Sequence, residues 1–310
     1  MFAKVFSIRS EVPILLLLPC MSQTIQRSKL TIRGCLECVV WLLRAGLVFY
    51  VAVCVVVAIF QRRLIYLSPV YTSEQVEQMA RKAKLERWKD PSGQAIGMKR
   101  LSPKQPVVGR VLVVYGSGGC ATGCAHYADV IQDVAAFDVF IVEYPGYADR
   151  PGSPSQKSLF RAADEAFQLL ATNGPVYLVG ESLGTGVAAY LAGTHPDKVA
   201  GVVLLAPYNR LADAAQYDYP ILPVHLLLVD RFPSEDYLRK YHGPVGVLVA
   251  GEDEVVPEKL GRRLYDGYAG PKRLWEFPLD DHGTVLERLP RIWEQIISFW
   301  QANQQVPKRE

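Results

Sequence analysis

The stretch PVYLVGESLG, residues 175–184, joins an apolar run to a serine that stands between two glycines. The run is typical of a buried strand, and G-x-S-x-G after a strand is typical of a nucleophile on a sharp turn. Glycine and serine are common, so about one chain in ten of this length matches the pattern by accident. Whether Ser182 is a nucleophile therefore depends on whether the chain supplies its partners.

The first partner is a base. A serine hydroxyl becomes a good nucleophile when a base takes its proton, and a carboxylate fixes the tautomer of that base. In an α/β sheet these groups follow strands, in the chain order serine, acid, histidine. His282, in the stretch DDHGT, is the one histidine after the last predicted strand. Earlier positions favour surface or packing roles for His126, His195, His225 and His242.

The second partner is a carboxylate. The predicted strand PVGVLVAG ends in GEDEVVP, a loop with three acidic residues. Asp253 is the predicted acid, and Glu252 and Glu254 are alternatives on the same loop. The predicted catalytic residues are thus Ser182, Asp253 and His282.

Backbone donors are needed for the oxyanion of a tetrahedral intermediate. The predicted donors are the N–H of Leu183, at the start of the next helix, and the N–H of Ser117, in the loop GSGGC after the strand RVLVVY. The glycines of that loop allow a tight backbone path. Gly180 and Gly184 are expected to remove side chains where the strand and the helix cross closely.

A dinucleotide-binding fold is a competing interpretation. The stretch GSGGCA, residues 116–121, also fits G-x-G-x-x-A after a strand, and Glu143 ends the next strand. That interpretation explains one loop and one acid. It does not explain GESLG, the Asp253 loop or His282, so we expect a site built on Ser182, Asp253 and His282 instead.

Composition and strand order predict the fold class. The chain has 310 residues, 50% hydrophobic and 21% charged, with a net charge of +3. No basic patch with interleaved aromatic residues indicates a nucleic-acid partner. Apolar strand-like runs alternate with helix-like segments from residue 110 onward, which predicts an α/β fold: a mostly parallel sheet with helices on both faces.

One segment is long and apolar enough to cross a bilayer. Val39–Phe60 has a single charge, Arg44, near its start, and no polar face. More basic residues precede the apolar part than follow it, which favours a cytoplasmic N-terminus and a catalytic domain on the far side. Residues 61–67 either lie in the lipid interface, with Arg62 and Arg63 at headgroup phosphates, or pack into the domain.

The predicted organisation has five parts: an N-terminal segment at 1–38, a transmembrane helix at 39–60, a linker at 61–85, a hydrolase domain at 86–301 and a tail at 302–310. A short lid is expected at about 208–242. Its apolar residues are candidates for a wall that binds an acyl chain, with ordinary packing as the alternative for about half of them. They are Tyr217, Tyr219, Ile221, Leu222, Leu226, Leu227 and Leu228.

The six cysteines show no pattern of a secreted disulfide framework. Cys35 and Cys38 form C-x-x-C beside the span without a second pair or a histidine, which argues against a metal site. Cys120 is expected to be a structural thiol, with a side chain that faces the substrate pocket as the alternative, and a disulfide with Cys124 is not expected at this spacing. We expect neither a metal nor a cofactor.

The arrangement resembles the α/β-hydrolase superfamily over 86–301, and within it the bud-emergence-like branch of single-span proteins related to depalmitoylases. The resemblance rests on EYPGYADRPGSPS at 143–155, GESLGTG, the connector DYPILPVHLLLVDRFPSEDYL, GEDEVVP and DDHGT. It implies that Ser182, Asp253 and His282 form a catalytic triad. Such relatives usually carry His-Gly where this chain has Tyr115-Gly116, and often asparagines at Ser117 and Cys120.

These observations predict a single-pass, membrane-anchored serine hydrolase. Its expected substrate is a carboxylic ester or acyl thioester with a modest acyl chain, and a lipid ester, an acylated protein and a small xenobiotic ester are all open. Membrane lipid is the other expected partner. The alternatives are an aminopeptidase-like hydrolase and a catalytically silent, membrane-tethered binding module with the same fold.

Overall fold

A computed structural model describes residues 18–172, 174–286 and 290–303, with side chains from Gly34 onward. The chain divides into two compact units between Val57 and Ala58. Part of the predicted N-terminal segment, residues 1–17, lies outside the described residues, as do residues 304–310 of the predicted tail.

The first unit contains most of helix α1, Leu18–Ile65. Within the described residues, Gly34–Ile65 is the one helix stretch long and apolar enough to cross a membrane, and its side chains are almost all exposed. The predicted span Val39–Phe60 lies inside it. The helix continues past Phe60 without a break, so the last residues of α1 belong to the second unit.

The second unit is built on one sheet of eight strands in the order β1-β2-β4-β3-β5-β6-β7-β8. Pairing is antiparallel between β1, β2 and β4 and parallel from β4 through β8. The strands are β1 (Glu86–Lys89), β2 (Ala95–Arg100), β3 (Gly109–Val114), β4 (Phe137–Val142), β5 (Val176–Glu181), β6 (Val199–Leu205), β7 (Val245–Ala250) and β8 (Lys272–Phe277).

The inner strands are buried on both faces because helices cover the sheet. This explains why they read as continuous apolar runs rather than alternating patterns. The helices of the second unit are α2 (Ser73–Lys82), α3 (Ala125–Val134), α4 (Gln156–Ala171), α5 (Leu183–Thr194), α6 (Leu211–Asp218), α7 (Val224–Leu227), α8 (Ser234–Leu238), α9 (Glu258–Gly267), α10 (His282–Leu286) and α11 (Pro290–Ala302). The predicted α/β class, with its mostly parallel sheet, is confirmed.

The predicted linker and the predicted lid both contain helices. The stretch 61–85, treated above as a linker, contains the end of α1 and all of α2, whose first turn is closed by a capping box between Thr72 and Gln75. The stretch 208–242 contains the three short helices α6, α7 and α8. We call it the lid connector.

The order of the strands determines where a site can form. Parallel strands β3 to β8 end at the same edge of the sheet, and ligands bind at that edge in open α/β sheets. The loops after β3, β5, β7 and β8 carry all the predicted site residues.

Candidate active site

Ser182 occupies a strained turn between β5 and α5. Its backbone angles are φ 48° and ψ −118°, in a region that residues other than glycine rarely adopt. Such a conformation costs about 1–3 kcal/mol and persists only where the surroundings impose it. The turn ends β5 and starts α5 with no intervening loop, so the Ser182 side chain stands at the carboxyl edge of the sheet.

The flanking glycines make this turn sterically possible. A Cβ atom on Gly180 would lie 2.9 Å from the Cβ atom of Ala188, on the following helix. A Cβ atom on Gly184 would lie 2.1 Å from the carbonyl oxygen of Val114, at the end of the neighbouring strand β3. The prediction that both glycines allow a close crossing of strand and helix is confirmed.

His282 connects the serine to an acid. It is the first residue of α10, a short distance after β8. Its Nε2 atom lies 3.0 Å from Ser182 Oγ, and its Nδ1 atom lies 2.8 Å from Asp253 Oδ2. The structure thus brings the three predicted catalytic residues into one hydrogen-bonded chain. With the Nδ1 proton donated to Asp253, the Nε2 atom is free to accept the Ser182 proton.

Asp253 is the acid of the loop after β7 that faces the site. Its side chain is 1% exposed, whereas Glu252 and Glu254 point into solvent. Its Oδ1 atom accepts hydrogen bonds from the N–H groups of Val255, at 2.9 Å, and Val256, at 2.7 Å. These bonds leave Oδ2 for His282 and fix the carboxylate, because a buried charge needs its hydrogen bonds satisfied.

The loop after β3 lies against the serine. A Cβ atom on Gly116 would come within 3.2 Å of the Cβ atom of Ser182. The Tyr147 hydroxyl donates a 2.9 Å hydrogen bond to the Ser117 carbonyl oxygen, which orients the peptide that follows Ser117. Leu183 is the first residue of α5, so its N–H has no acceptor within its own helix. Both predicted oxyanion donors therefore lie on elements that flank Ser182.

One buried carboxylate holds both ends of that loop, a feature that sequence reasoning missed. Glu143 accepts a hydrogen bond from the Tyr115 hydroxyl at its Oε1 atom and one from the Ala121 N–H, 3.1 Å away, at its Oε2 atom. The Tyr144 hydroxyl also donates to the Tyr115 carbonyl oxygen, at 3.1 Å. Burial raises the pKa of Glu143 to about 7.

These contacts argue against the dinucleotide interpretation. In a dinucleotide-binding fold the acid after the second strand bonds a ribose and the loop N–H groups point at a pyrophosphate. Here Glu143 is 4% exposed and already bonded to Tyr115 and Ala121. The signal in the sequence is Tyr115, because its hydroxyl, at the end of β3, can donate a hydrogen bond to the acid that follows β4.

The remaining predicted features of this region have packing roles. Cys120 and Cys124 are buried free thiols, and the Cys120 sulfur lies 3.3 Å from the Thr122 hydroxyl. Burial raises the pKa of Cys124 well above its usual value, so this thiol is inert. His195 and His225 pair with carboxylates away from Ser182.

The lid connector divides the predicted acyl-chain wall. Leu228 is buried with Ala212 and Val224 in a small apolar cluster, against which Leu222 packs. Tyr217, Tyr219, Ile221 and Leu226 are about half exposed or more. Ordinary packing therefore accounts for Leu222 and Leu228 among the residues predicted to form the acyl-chain wall.

Known proteins resemble this chain in sequence. Residues 109–237 match the family described as alpha/beta hydrolase fold. An uncharacterized protein of Mycobacterium tuberculosis is 36% identical over 53% of this chain and 59% of its own length. An uncharacterized membrane protein of Saccharomyces cerevisiae is 30% identical over 55% of this chain and 63% of its own length. The lysophosphatidylserine lipase ABHD12 of Danio rerio is 29% identical over 57% of this chain and 50% of its own length. The chain thus spans about half to three fifths of the length of these relatives.

Solved structures resemble it in fold. Est1E of Butyrivibrio proteoclasticus with ferulic acid bound superposes with a TM-score of 0.58 at 15% identity, over 70% of this chain and 100% of that chain. An alpha-beta hydrolase of Vibrio vulnificus superposes with a TM-score of 0.57 at 19% identity, over 74% of this chain and 85% of that chain. At these identities the likeness concerns the fold.

Proposed function

We propose that this chain, which belongs to the α/β-hydrolase superfamily, is a membrane-anchored serine hydrolase that cleaves carboxylic esters or acyl thioesters. One observation carries the proposal. Ser182 Oγ, both ring nitrogens of His282 and the Asp253 carboxylate form a continuous hydrogen-bonded chain at the carboxyl edge of the sheet.

The proposed reaction begins with attack by Ser182 Oγ on the substrate carbonyl carbon. His282 Nε2 takes the hydroxyl proton and then donates it to the leaving alkoxide or thiolate, while Asp253 stabilises the imidazolium that forms between these steps. The tetrahedral oxyanion is proposed to accept hydrogen bonds from the N–H groups of Ser117 and Leu183. Water, deprotonated by His282, then cleaves the acyl-enzyme and restores Ser182.

The membrane part of the proposal rests on α1. The stretch Gly34–Ile65 has the length and the apolar side chains of a span, and similar proteins include one named as a membrane protein. We propose the orientation with the N-terminus in the cytoplasm, from the excess of basic residues before the span. Membrane lipid is then a partner of the chain.

An acyl substrate is favoured over other substrates of this superfamily. Several similar proteins are named lysophosphatidylserine lipases, and the lid connector offers exposed apolar side chains within the same unit as the site. An aminopeptidase-like hydrolase is the second candidate, because amide cleavage uses the same three residues. A catalytically silent binding module is the third, since a fold by itself does not specify activity.

A chain-length series of p-nitrophenyl esters tests the proposal, with purified full-length chain in detergent. We expect hydrolysis that depends on acyl length and that disappears in Ser182→Ala. Parallel acyl-thioester substrates separate thioester from ester preference. Cleavage confined to peptide amides would support the aminopeptidase instead, and no cleavage of any substrate would support the silent module.

A further inference from the structure

Large exposed apolar side chains of the second unit gather at one edge of its sheet. We define the apolar rim as Leu67, Ile221, Leu226, Val229, Val255 and Leu279, each about half exposed or more, with Leu226 at 79% and Leu279 at 84%. The opposite edge has only Leu101 and Val108 of this kind among the described residues, in the connection between β2 and β3. A concentration of apolar surface on one side marks a contact surface.

Three residues of the apolar rim lie next to the loops that carry the proposed chemistry. The Leu67 Cβ atom lies 4.0 Å from the Cβ position of Gly118, in the loop beside Ser182. Val255 follows the Asp253 loop and Leu279 precedes His282. The other three rim residues belong to the lid connector after β6. A partner that covers the rim therefore contacts the loops that carry Asp253 and His282.

The lid connector is tied to the end of α1 by hydrogen bonds, which we call the clamp. Asp230, with a side chain 5% exposed, accepts from Arg62 Nε at 3.0 Å and from the Tyr66 hydroxyl at 2.9 Å. Gln61 accepts from the Val229 N–H at 2.7 Å and donates to the Leu227 carbonyl oxygen at 3.2 Å. Arg62 is thus bonded to the protein, and the packing alternative holds for Gln61 and Tyr66.

Apolar packing reinforces the clamp. Ile65, the last residue of α1, packs against the lid cluster of Ala212, Val224 and Leu228. The helix that enters the bilayer and the lid connector are therefore in direct contact where the helix ends. Gln61, the residue after the predicted span, is hydrogen-bonded to Val229 and Leu227, so the end of the span adjoins the lid connector in the chain's own contacts, and a bilayer is the occupant that these contacts favour for the rim.

The charges near the rim are of both signs. Glu252, Glu254 and Asp281 are exposed beside it, as is Lys259, whose ammonium group lies 4.6 Å from the centre of the Tyr217 ring. A surface of mixed charge does not bind anionic lipid preferentially, because such a preference requires a cluster of basic residues. Apolar contact then accounts for the attachment, so a zwitterionic bilayer suffices.

We propose that the apolar rim rests in the interfacial layer of the bilayer that α1 enters, so that an acyl substrate passes from the membrane to Ser182 without crossing bulk water. The clamp keeps the lid connector at that depth. This inference rests on the membrane anchoring and the hydrolase activity proposed above. It adds the surface through which lipid approaches the site.

Photo-crosslinking tests the contact independently of catalysis. Leu226→p-benzoylphenylalanine and Val229→p-benzoylphenylalanine are made in the full-length chain, placed in phosphatidylcholine nanodiscs and irradiated, with Leu101→p-benzoylphenylalanine and Val108→p-benzoylphenylalanine as matched controls. We expect lipid adducts by mass spectrometry for the first pair and at least tenfold fewer for the controls. No adducts at 226 and 229, equal adducts at all four positions, or adducts to a second copy of the chain would each overturn the proposal.

A kinetic comparison tests the consequence. The double variant Val229→Ser/Leu279→Ser, at two rim residues outside the candidate acyl-chain wall, should lose about tenfold in kcat/KM on a long-chain ester embedded in vesicles, with unchanged kcat/KM on a soluble short-chain ester. The control Leu101→Ser/Val108→Ser should match the wild type on both, and equal activity of the two double variants on vesicles would overturn the proposal. A wild type that hydrolyses neither ester contradicts the proposed function, and carbonate extraction of the chain contradicts the anchoring. In either case, the crosslinking experiment still shows whether the apolar rim contacts lipid.

Discussion

The Nε2 atom of His282 lies 3.0 Å from the Oγ atom of Ser182, although 100 positions separate the two residues in the chain. Parallel strands make this contact possible because β5 and β8 both end at the same edge of the sheet. The three groups act as a unit only if each keeps its hydrogen bonds. The first predictions concern the residues that maintain this arrangement.

Asp253→Asn should lower kcat for ester hydrolysis by about a thousandfold or more, with little change in KM. The amide cannot stabilise the imidazolium and permits the wrong histidine tautomer. The matched control is Glu254→Gln, an exposed carboxylate on the same loop, which should retain wild-type kinetics. A large loss in Glu254→Gln together with an active Asp253→Asn would reassign the acid.

Gly184→Ala should destabilise the fold by more than about 3 kcal/mol, because the new methyl group would meet the Val114 carbonyl oxygen at 2.1 Å and the backbone must move. Gly267→Ala, at the end of α9 with open space around its Cβ position, should change stability by no more than about 1 kcal/mol. Melting temperatures in detergent check both. Equal melting temperatures for the two variants would contradict the close crossing of α5 and β3.

Glu143 should make stability depend on pH. Burial raises its pKa to about 7, above its value in the unfolded chain, so the folded state binds the proton more tightly. The resulting stability is fully present below about pH 4.3 and falls by about 1.4 kcal/mol per pH unit until about pH 7. We expect the wild-type melting temperature to fall over this range relative to that of Glu143→Gln. Parallel curves for both proteins would show that Glu143 does not titrate there.

Asp230→Ala should lower the free energy of unfolding by about 2 kcal/mol, or several degrees in melting temperature, because Arg62 and Tyr66 lose the acceptor of their hydrogen bonds. The control Asp218→Ala removes an exposed carboxylate of the same lid connector and should have little effect. Thermal unfolding in detergent measures both. An unchanged melting temperature in Asp230→Ala would show that the Asp230 hydrogen bonds of the clamp contribute nothing to stability.

The sequence indicated those site residues whose roles follow from their position next to strands. Ser182 could be found because a nucleophile turn needs a strand, two small residues and a helix in direct succession. Asp253 could be separated from Glu252 and Glu254 only as a preference, because all three lie on one loop. Burial of one side chain out of the three is a tertiary property, and the structure supplies it.

The contacts that the sequence did not reveal join distant polar residues. Arg62 and Asp230 are 168 positions apart, and neither belongs to a motif or a periodic pattern. The role of Glu143 was hidden for a similar reason, since its partners Tyr115 and Ala121 lie on a different strand end. Hydrogen bonds of this kind depend on the order of the strands in the sheet. The sequence predicts the fold class but not that order.

Labelling with a fluorophosphonate probe tests whether Ser182 is an activated nucleophile, because the probe reacts with an activated serine whatever the natural substrate is. Full-length wild type, Ser182→Ala and Ser117→Ala are compared in detergent, the last as a control that keeps its backbone N–H. We expect equal labelling of the wild type and Ser117→Ala and none of Ser182→Ala. An unlabelled wild type, or a Ser182→Ala variant labelled as strongly as the wild type, would contradict the proposed role of Ser182.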